Sequence, residues 1–117
     1  MKLSDTVTGY ICSATSPNAD AVTGAELKEL SAQIPNWTLE TRGGVLQLER
    51  VFKCADFLQA LSFAEQIGTI AEINDHHPAL LVEWGKLTVT WWSHSINGLH
   101  HNDFVMAAKT DEIFKTA

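Results

Sequence analysis

Helical and strand periodicities alternate along the chain. Leu27, Leu30 and Ile34 share one face of a helix that begins at Thr23-Gly24-Ala25-Glu26, where Thr followed three residues later by Glu has the form of a capping box. Pro35-Asn36 ends that helix. Trp37 to Glu40 and Val45 to Phe52 then flank Arg42-Gly43-Gly44 as two strands around a Gly-rich turn, with Leu46 and Leu48 facing a core. From about Cys54 to Asn74, Phe57, Leu61, Ala64, Ile67 and Ala71 recur at helical spacing, with Ala60 and Phe63 beside them, which predicts a long central helix. Pro78 cannot continue this helix and disfavours helical geometry at His77, so His76-His77-Pro78 is expected as its extended exit. Ala79 to Trp84 and Leu87 to Ser93 form a second hairpin joined tightly at Gly85-Lys86. Asn97-Gly98 breaks the chain before a last helix from Leu99 to about Lys115, with Asp103 placed to favour its N-terminus.

The predicted order is helix, strand, strand, helix, strand, strand, helix. Segregated hairpins and helices imply an α+β fold, with one antiparallel sheet carrying helices on a single face. Residues 1–22 mix small, polar and apolar side chains without periodicity and are expected to form a flexible arm with no chemistry. Residues 23–117 are expected to form one domain. A chain of 117 residues buries about two-thirds of the surface its unfolded form exposes, which suits one core.

Composition narrows the function classes. Hydrophobic residues make up 45% and charged residues 19%, as in an ordinary globular protein. The formal charge is -6 and the basic residues are scattered, which argues against direct nucleic-acid binding. No signal peptide or membrane span is legible near the N-terminus, so a cytoplasmic protein is expected, with Cys12 and Cys54 reduced.

All five histidines lie between positions 76 and 101. Imidazole is the side chain best suited to exchanging protons near neutral pH. The second hairpin returns His94 toward His77-Pro78, so His76, His77 and His94 can converge, with Glu72, Asp75 and Asp103 near enough in sequence to orient rings or ligand groups. The competing reading is a metal site built of imidazoles and a carboxylate. Against it stand the absence of a His-x-x-x-His pair, the awkwardness of adjacent His76 and His77 as ligands of one ion, and cysteines outside the cluster. His100 and His101 are read as surface or structural residues, Trp84, Trp91 and Trp92 as packing aromatics able to stack on a planar ring, and Asp103 as a helix-start carboxylate.

Glu72, Asp75-His76-His77-Pro78, Trp84, Ser93-His94, Gly98-Leu99 and Asp103 together resemble the signature of pterin-4a-carbinolamine dehydratases, without a gap in the spacing. The resemblance extends upstream through Pro35-Asn36-Trp37, Leu48 to Phe52, Asp56-Phe57 and Ala60, and so covers about Thr23 to Phe114. It implies a four-stranded antiparallel sheet with helices on one side, and subunits assembled as homodimers or homotetramers. Two departures are visible. His100 stands where Thr is usual at the last helix start, and Leu80 stands where animal members carry Trp. The second, with Trp91-Trp92, makes the chain similar to the bacterial branch that accompanies phenylalanine hydroxylase.

The reaction this resemblance implies is conversion of 4a-hydroxytetrahydropterin, such as 4a-hydroxytetrahydrobiopterin, to quinonoid dihydropterin and water. It implies no metal and no cofactor. His76 and His94 are assigned to proton transfer and His77 to substrate orientation. Asp75, His76, His77, Pro78 and the stretch Trp92, Ser93, His94 and Ser95 are assigned to pterin binding, with Glu72, Trp84 and Asp103 in support. The alternative is a protein-binding regulator, acting as dimerisation partner or coactivator of a transcription factor or hydroxylase.

Overall fold

The computed structural model describes residues 1–12 and 14–116. A single 3₁₀ turn at Leu3–Thr6 precedes α1 (Gly24–Ala32), β1 (Thr38–Arg42), β2 (Val45–Lys53), α2 (Phe57–Ile73), β3 (Ala79–Glu83), β4 (Lys86–Trp91) and α3 (His101–Thr116). The strands form one antiparallel sheet in the order β1-β2-β4-β3. This is the predicted α+β order.

Two hairpins supply the sheet. In the first, Arg42 pairs with Val45 across Gly43-Gly44, whose φ angles of 58° and 77° suit a tight two-residue turn open to glycine at both positions. In the second, Glu83 pairs with Lys86, so the turn is Trp84-Gly85 and lies one residue earlier than the sequence suggests. Gly85 supplies the positive φ there, at 75°.

Strand alternation turns Leu48 and Phe52 of β2 and Leu87, Val89 and Trp91 of β4 to one face, all fully buried. Helices α2 and α3 cover that face, and α1 packs on α3. Phe52 meets Trp37, Phe63 and Phe114 with ring centroids 4.8–6.0 Å apart. Such pairs add about 0.5–1.5 kcal/mol each beyond area burial. Arg50 lies over Phe52 and holds Asp111 at 2.6 Å, and the Trp37 indole N–H donates to the same carboxylate oxygen at 2.9 Å.

The segment expected as a flexible arm lies against this core. Leu3, Cys12 and Val22 are buried. Leu3 N–H donates to Gln33 Oε1, Cys12 N–H to Asn74 Oδ1 and Val22 N–H to Leu99 O, at 2.7, 2.8 and 2.7 Å. Lys109, buried in α3, donates to the carbonyl of Tyr10. The cysteines are unpaired, and burial pushes the Cys12 thiol up to about 11.

The helix ends aim the chain segments that leave them. The expected capping box at Thr23 does not form, since the Thr23 side chain makes no cap hydrogen bond. Gly24, the first helical residue, takes a positive φ of 58°. Asp56 caps α2 instead, accepting from Gln59 N at 2.8 Å, so that helix begins at Phe57 rather than near Cys54. Its C-terminus is closed by a Schellman motif. His76 N–H reaches Ala71 O and Asp75 N–H reaches Glu72 O, with Asp75 in the left-handed region at φ 47°. Helix α2 has therefore ended at Ile73, well before Pro78, and Asp75 rather than Pro78 turns the chain.

Helix α3 starts at His101, and His100 caps it. Its Nδ1 accepts the Asn102 N–H at 3.2 Å, while its own N–H donates to Asp103 Oδ2 at 2.9 Å. This is a reciprocal cap with an imidazole where Ser or Thr is usual. It requires Nδ1 to be unprotonated. Burial first, then the neighbouring His101, push His100 below its ordinary value of 6.5, with Asp103 pulling the other way.

Both helix ends can be tested by unfolding. A base whose folded value is depressed contributes stability that is complete above its unfolded value and lost as pH falls through the folded value. Urea unfolding titrated downward from pH 6.5 should therefore show a steeper loss for the wild-type chain than for His100→Ser, which keeps an acceptor that never protonates. Parallel curves would contradict the imidazole cap. Asp75→Gly should raise the unfolding free energy by roughly 0.5–1 kcal/mol, because glycine removes the left-handed backbone cost of an L side chain at the helix exit. A loss of stability in urea unfolding would reject that source of strain.

Candidate active site

Three chain exits meet at one end of the sheet. The Schellman turn delivers Asp75, His76 and His77. Antiparallel pairing of Ala79 with Thr90 places the end of β4 beside them, and Trp92 to Ser95 continue from it. A bridge between Ser93 and Gly98 closes the loop that carries His94 and Ser95. Asp75, His76, His77, Trp92, Ser93, His94 and Ser95 line a cleft of about 280 Å³, with Ala14 and Thr15 of the N-terminal segment on its rim.

The three imidazoles are held in different ways. His76 is buried, with its ring stacked against Trp91 at a centroid distance of 5.8 Å and its Nε2 2.6 Å from Asp103 Oδ1. An ionised carboxylate only accepts, so this bond places a proton on Nε2. His77 is exposed and bonds Glu72 Oε1 through Nε2 at 3.0 Å, a solvent-washed contact that aims the ring but adds little energy. His94 is exposed and packs on the Trp92 ring at 4.4 Å, tilted by 33°.

Asp103 lies beneath the cleft and is wholly buried. Its Oδ1 takes the His76 Nε2–H, and its Oδ2 takes both the Ser93 hydroxyl at 2.8 Å and the His100 N–H at 2.9 Å. Three donors compensate one desolvated charge. The carboxylate that the sequence marks as a helix-start residue thus serves that role and orients His76 at once.

Other assigned residues stand apart from the cleft. Pro78 does not line it and leads into β3. Trp84 sits in the β3–β4 turn, 75% exposed, at the opposite end of the hairpin from the imidazoles, because the strand runs five residues between them. The Glu72 side chain meets the site through His77. A larger cleft of about 380 Å³ between α2 and the end of β2 is lined by Lys53, Cys54, Phe63 and Phe114 among others, and it holds no imidazole. Among the described residues, no three His, Cys, Asp or Glu side chains are placed to hold a metal ion.

Two contributors escape sequence reasoning. His100 is discoverable in principle, since it stands three residues before Asp103 at a helix start. Thr15 carries no local signal. It reaches the cleft only because Cys12 and Val22 are buried on either side of it.

Comparison with known proteins agrees with this architecture. A solved structure similar to this chain is a transcriptional coactivator/pterin dehydratase from Brucella melitensis, with a TM-score of 0.71 and 32% identity, covering 80% of this chain and 98% of that one. The family model for pterin 4 alpha carbinolamine dehydratase matches residues 20–113, the stretch that holds all three helices but the last turn, the whole sheet and every imidazole of the cleft. The chain therefore belongs to the pterin 4 alpha carbinolamine dehydratase family.

Proposed function

We propose that the protein dehydrates 4a-hydroxytetrahydropterin to quinonoid dihydropterin by histidine acid-base catalysis. The observation that supports this most is the convergence of His76, His77 and His94 on one small cleft, with His76 clamped from beneath by Asp103. The reaction removes the N5 proton, forms the C4a–N5 double bond and expels the 4a-hydroxyl as water. One imidazole takes the N5 proton and another protonates the departing hydroxyl. Buried His76, fixed by Asp103 and Trp91, and exposed His94, packed on Trp92, have the contrasting settings such a division needs. His77 orients the substrate, and Asp75 and Ser95 offer polar groups to the pterin's amide-like edge, while Ser93 supports the cleft from beneath through Asp103. A cleft of about 280 Å³ fits a small bicyclic ring better than an extended ligand. The product feeds regeneration of the pterin used in aromatic amino-acid hydroxylation, which is the functional link to phenylalanine hydroxylase in this reading.

Freshly generated 4a-hydroxytetrahydropterin should disappear faster with the protein than without it, equally in the presence of a chelator. No acceleration rejects the reading, and chelator-sensitive acceleration transfers it to a metal. Because His94 is exposed, His94→Ala should fold normally and slow the dehydration by roughly 10²-fold or more. Wild-type turnover in that variant would remove His94 from the mechanism.

A second reading concerns protein partners. Phe57, Leu58 and Leu61 lie on one side of the first turns of α2, exposed by 44, 73 and 47%. An apolar patch of this kind on a helix suits self-association into dimers or tetramers, or a regulatory protein partner. Light scattering coupled to size exclusion should find an oligomer that Leu58→Asp reduces to a smaller species. A wild-type monomer at micromolar concentration would end the self-association reading.

A further inference from the structure

Residues 1–19 lie outside the stretch matched to the family, yet one of them is bonded into the site. Thr15 Oγ1 is 3.2 Å from Ser93 Oγ. Ser93 has one hydroxyl proton, and it is committed to Asp103 Oδ2 at 2.8 Å. Proton accounting therefore makes Thr15 the donor and Ser93 the acceptor. The result is a directed chain, from the Thr15 hydroxyl to the Ser93 hydroxyl to the Asp103 carboxylate, whose other oxygen takes the His76 Nε2–H. Donation into Ser93 polarises its own O–H and strengthens the next bond in the chain.

The backbone of the same residue holds a second point of the same loop. The Thr15 carbonyl accepts the Ser95 hydroxyl at 2.8 Å, and Ser95 comes directly after His94 in the short loop closed by the Ser93–Gly98 bridge. Thr15 thus touches both arms of the histidine cluster, His76 through Ser93 and Asp103, and His94 through the Ser95 loop. Its position is not accidental to the fold. Upstream, Cys12 is buried and its N–H is bonded to Asn74 Oδ1, at the very helix end that delivers His76, while downstream Val22 is bonded to Leu99. Asn102 Nδ2 also reaches Thr15 Oγ1, at 3.4 Å.

We infer that Thr15 is a positioning residue for the dehydration, by which the segment preceding the family domain completes the catalytic site. This rests on the dehydratase reading above, but the geometry it asserts is testable without turnover. Thr15→Val keeps the side-chain shape and removes the donor. In the substrate-free protein it should move the ¹⁵N resonances of the His76 ring, while the melting temperature changes little. In the dehydration assay it should lower kcat/KM by roughly 3- to 10-fold, the worth of about one hydrogen bond. Thr15→Ser should restore both the resonances and the rate. Ser16→Ala, which alters an exposed neighbour whose hydroxyl accepts the Asn18 N–H, serves as the control and should change neither.

Unchanged His76 resonances in Thr15→Val would overturn the inference, whatever the enzyme does. Shifted resonances with a wild-type rate would overturn the catalytic part of it. If the wild-type chain fails to accelerate dehydration, the dehydratase reading falls, and the resonance experiment still decides whether Thr15 positions His76. Should Thr15→Val not fold, Ser93→Ala breaks the chain at its next link and is read by the same His76 resonances. No shift there would reject the relay.

Discussion

An ionised carboxylate taken fully out of water is tolerable only when donors surround it, and the Asp103 carboxylate is wholly buried. Its three donors come from three different places: the exit of α2 at His76, the exit of β4 at Ser93 and the start of α3 at His100. Satisfying this one charge therefore draws together three chain segments that sequence separation would leave independent. The same bonds that make burial of Asp103 tolerable fix the tautomer and direction of His76. Folding and site assembly are one requirement here.

Around that anchor the site is graded in rigidity. His76 is packed on Trp91, bonded to Asp103 and mostly buried, with one side of it lining the cleft. His94 leans on Trp92, and His77 is tethered by an exposed glutamate. Such a gradient suits chemistry in which one proton-transfer group has to be in place before the ligand arrives while others adjust to it. The backbone strain falls in the same region. Asp75 occupies the left-handed region where glycine is usual, and its side chain lines the cleft. A residue that costs stability at a helix exit and lines a cleft is the pattern expected where function, not folding, selects the side chain. The start of α3 adds a further constraint. With His100 in the capping position, the helix that supplies Asp103 is held at its first turn by an imidazole that must stay neutral. Stability of the helix start and geometry beneath the cleft are thereby tied to one another through His100, whose N–H and ring both take part.

Much of this was legible in the chain by itself. The two periodicities marked the three helices and four strands in their observed order, and Gly43-Gly44 marked a hairpin turn. The return of the second hairpin put His94 near His76 and His77. Features of this kind depend on neighbours within a few residues or on one tight turn. Errors arose at the element ends. Asp56 displaced the start of α2, Asp75 rather than Pro78 ended it, and Thr23 failed as a cap, since capping depends on local backbone angles that composition does not state. Trp84 matched a motif by spacing, yet the hairpin carries it to the far end of the sheet.

Contacts spanning long stretches of chain were decided only in three dimensions. Ser93 to Asp103, His76 to Asp103 and Thr15 to Ser93 join residues 10, 27 and 78 positions apart. No periodicity encodes such pairs. They exist because a buried carboxylate must find its donors wherever the packed chain supplies them, and because burial of Cys12 and Val22 brings Ala14 and Thr15 to the cleft. Hydrophobic pattern determined which elements form and which faces they bury. The demand for satisfied polar groups, expressed only after those faces had packed, decided which residues make the site.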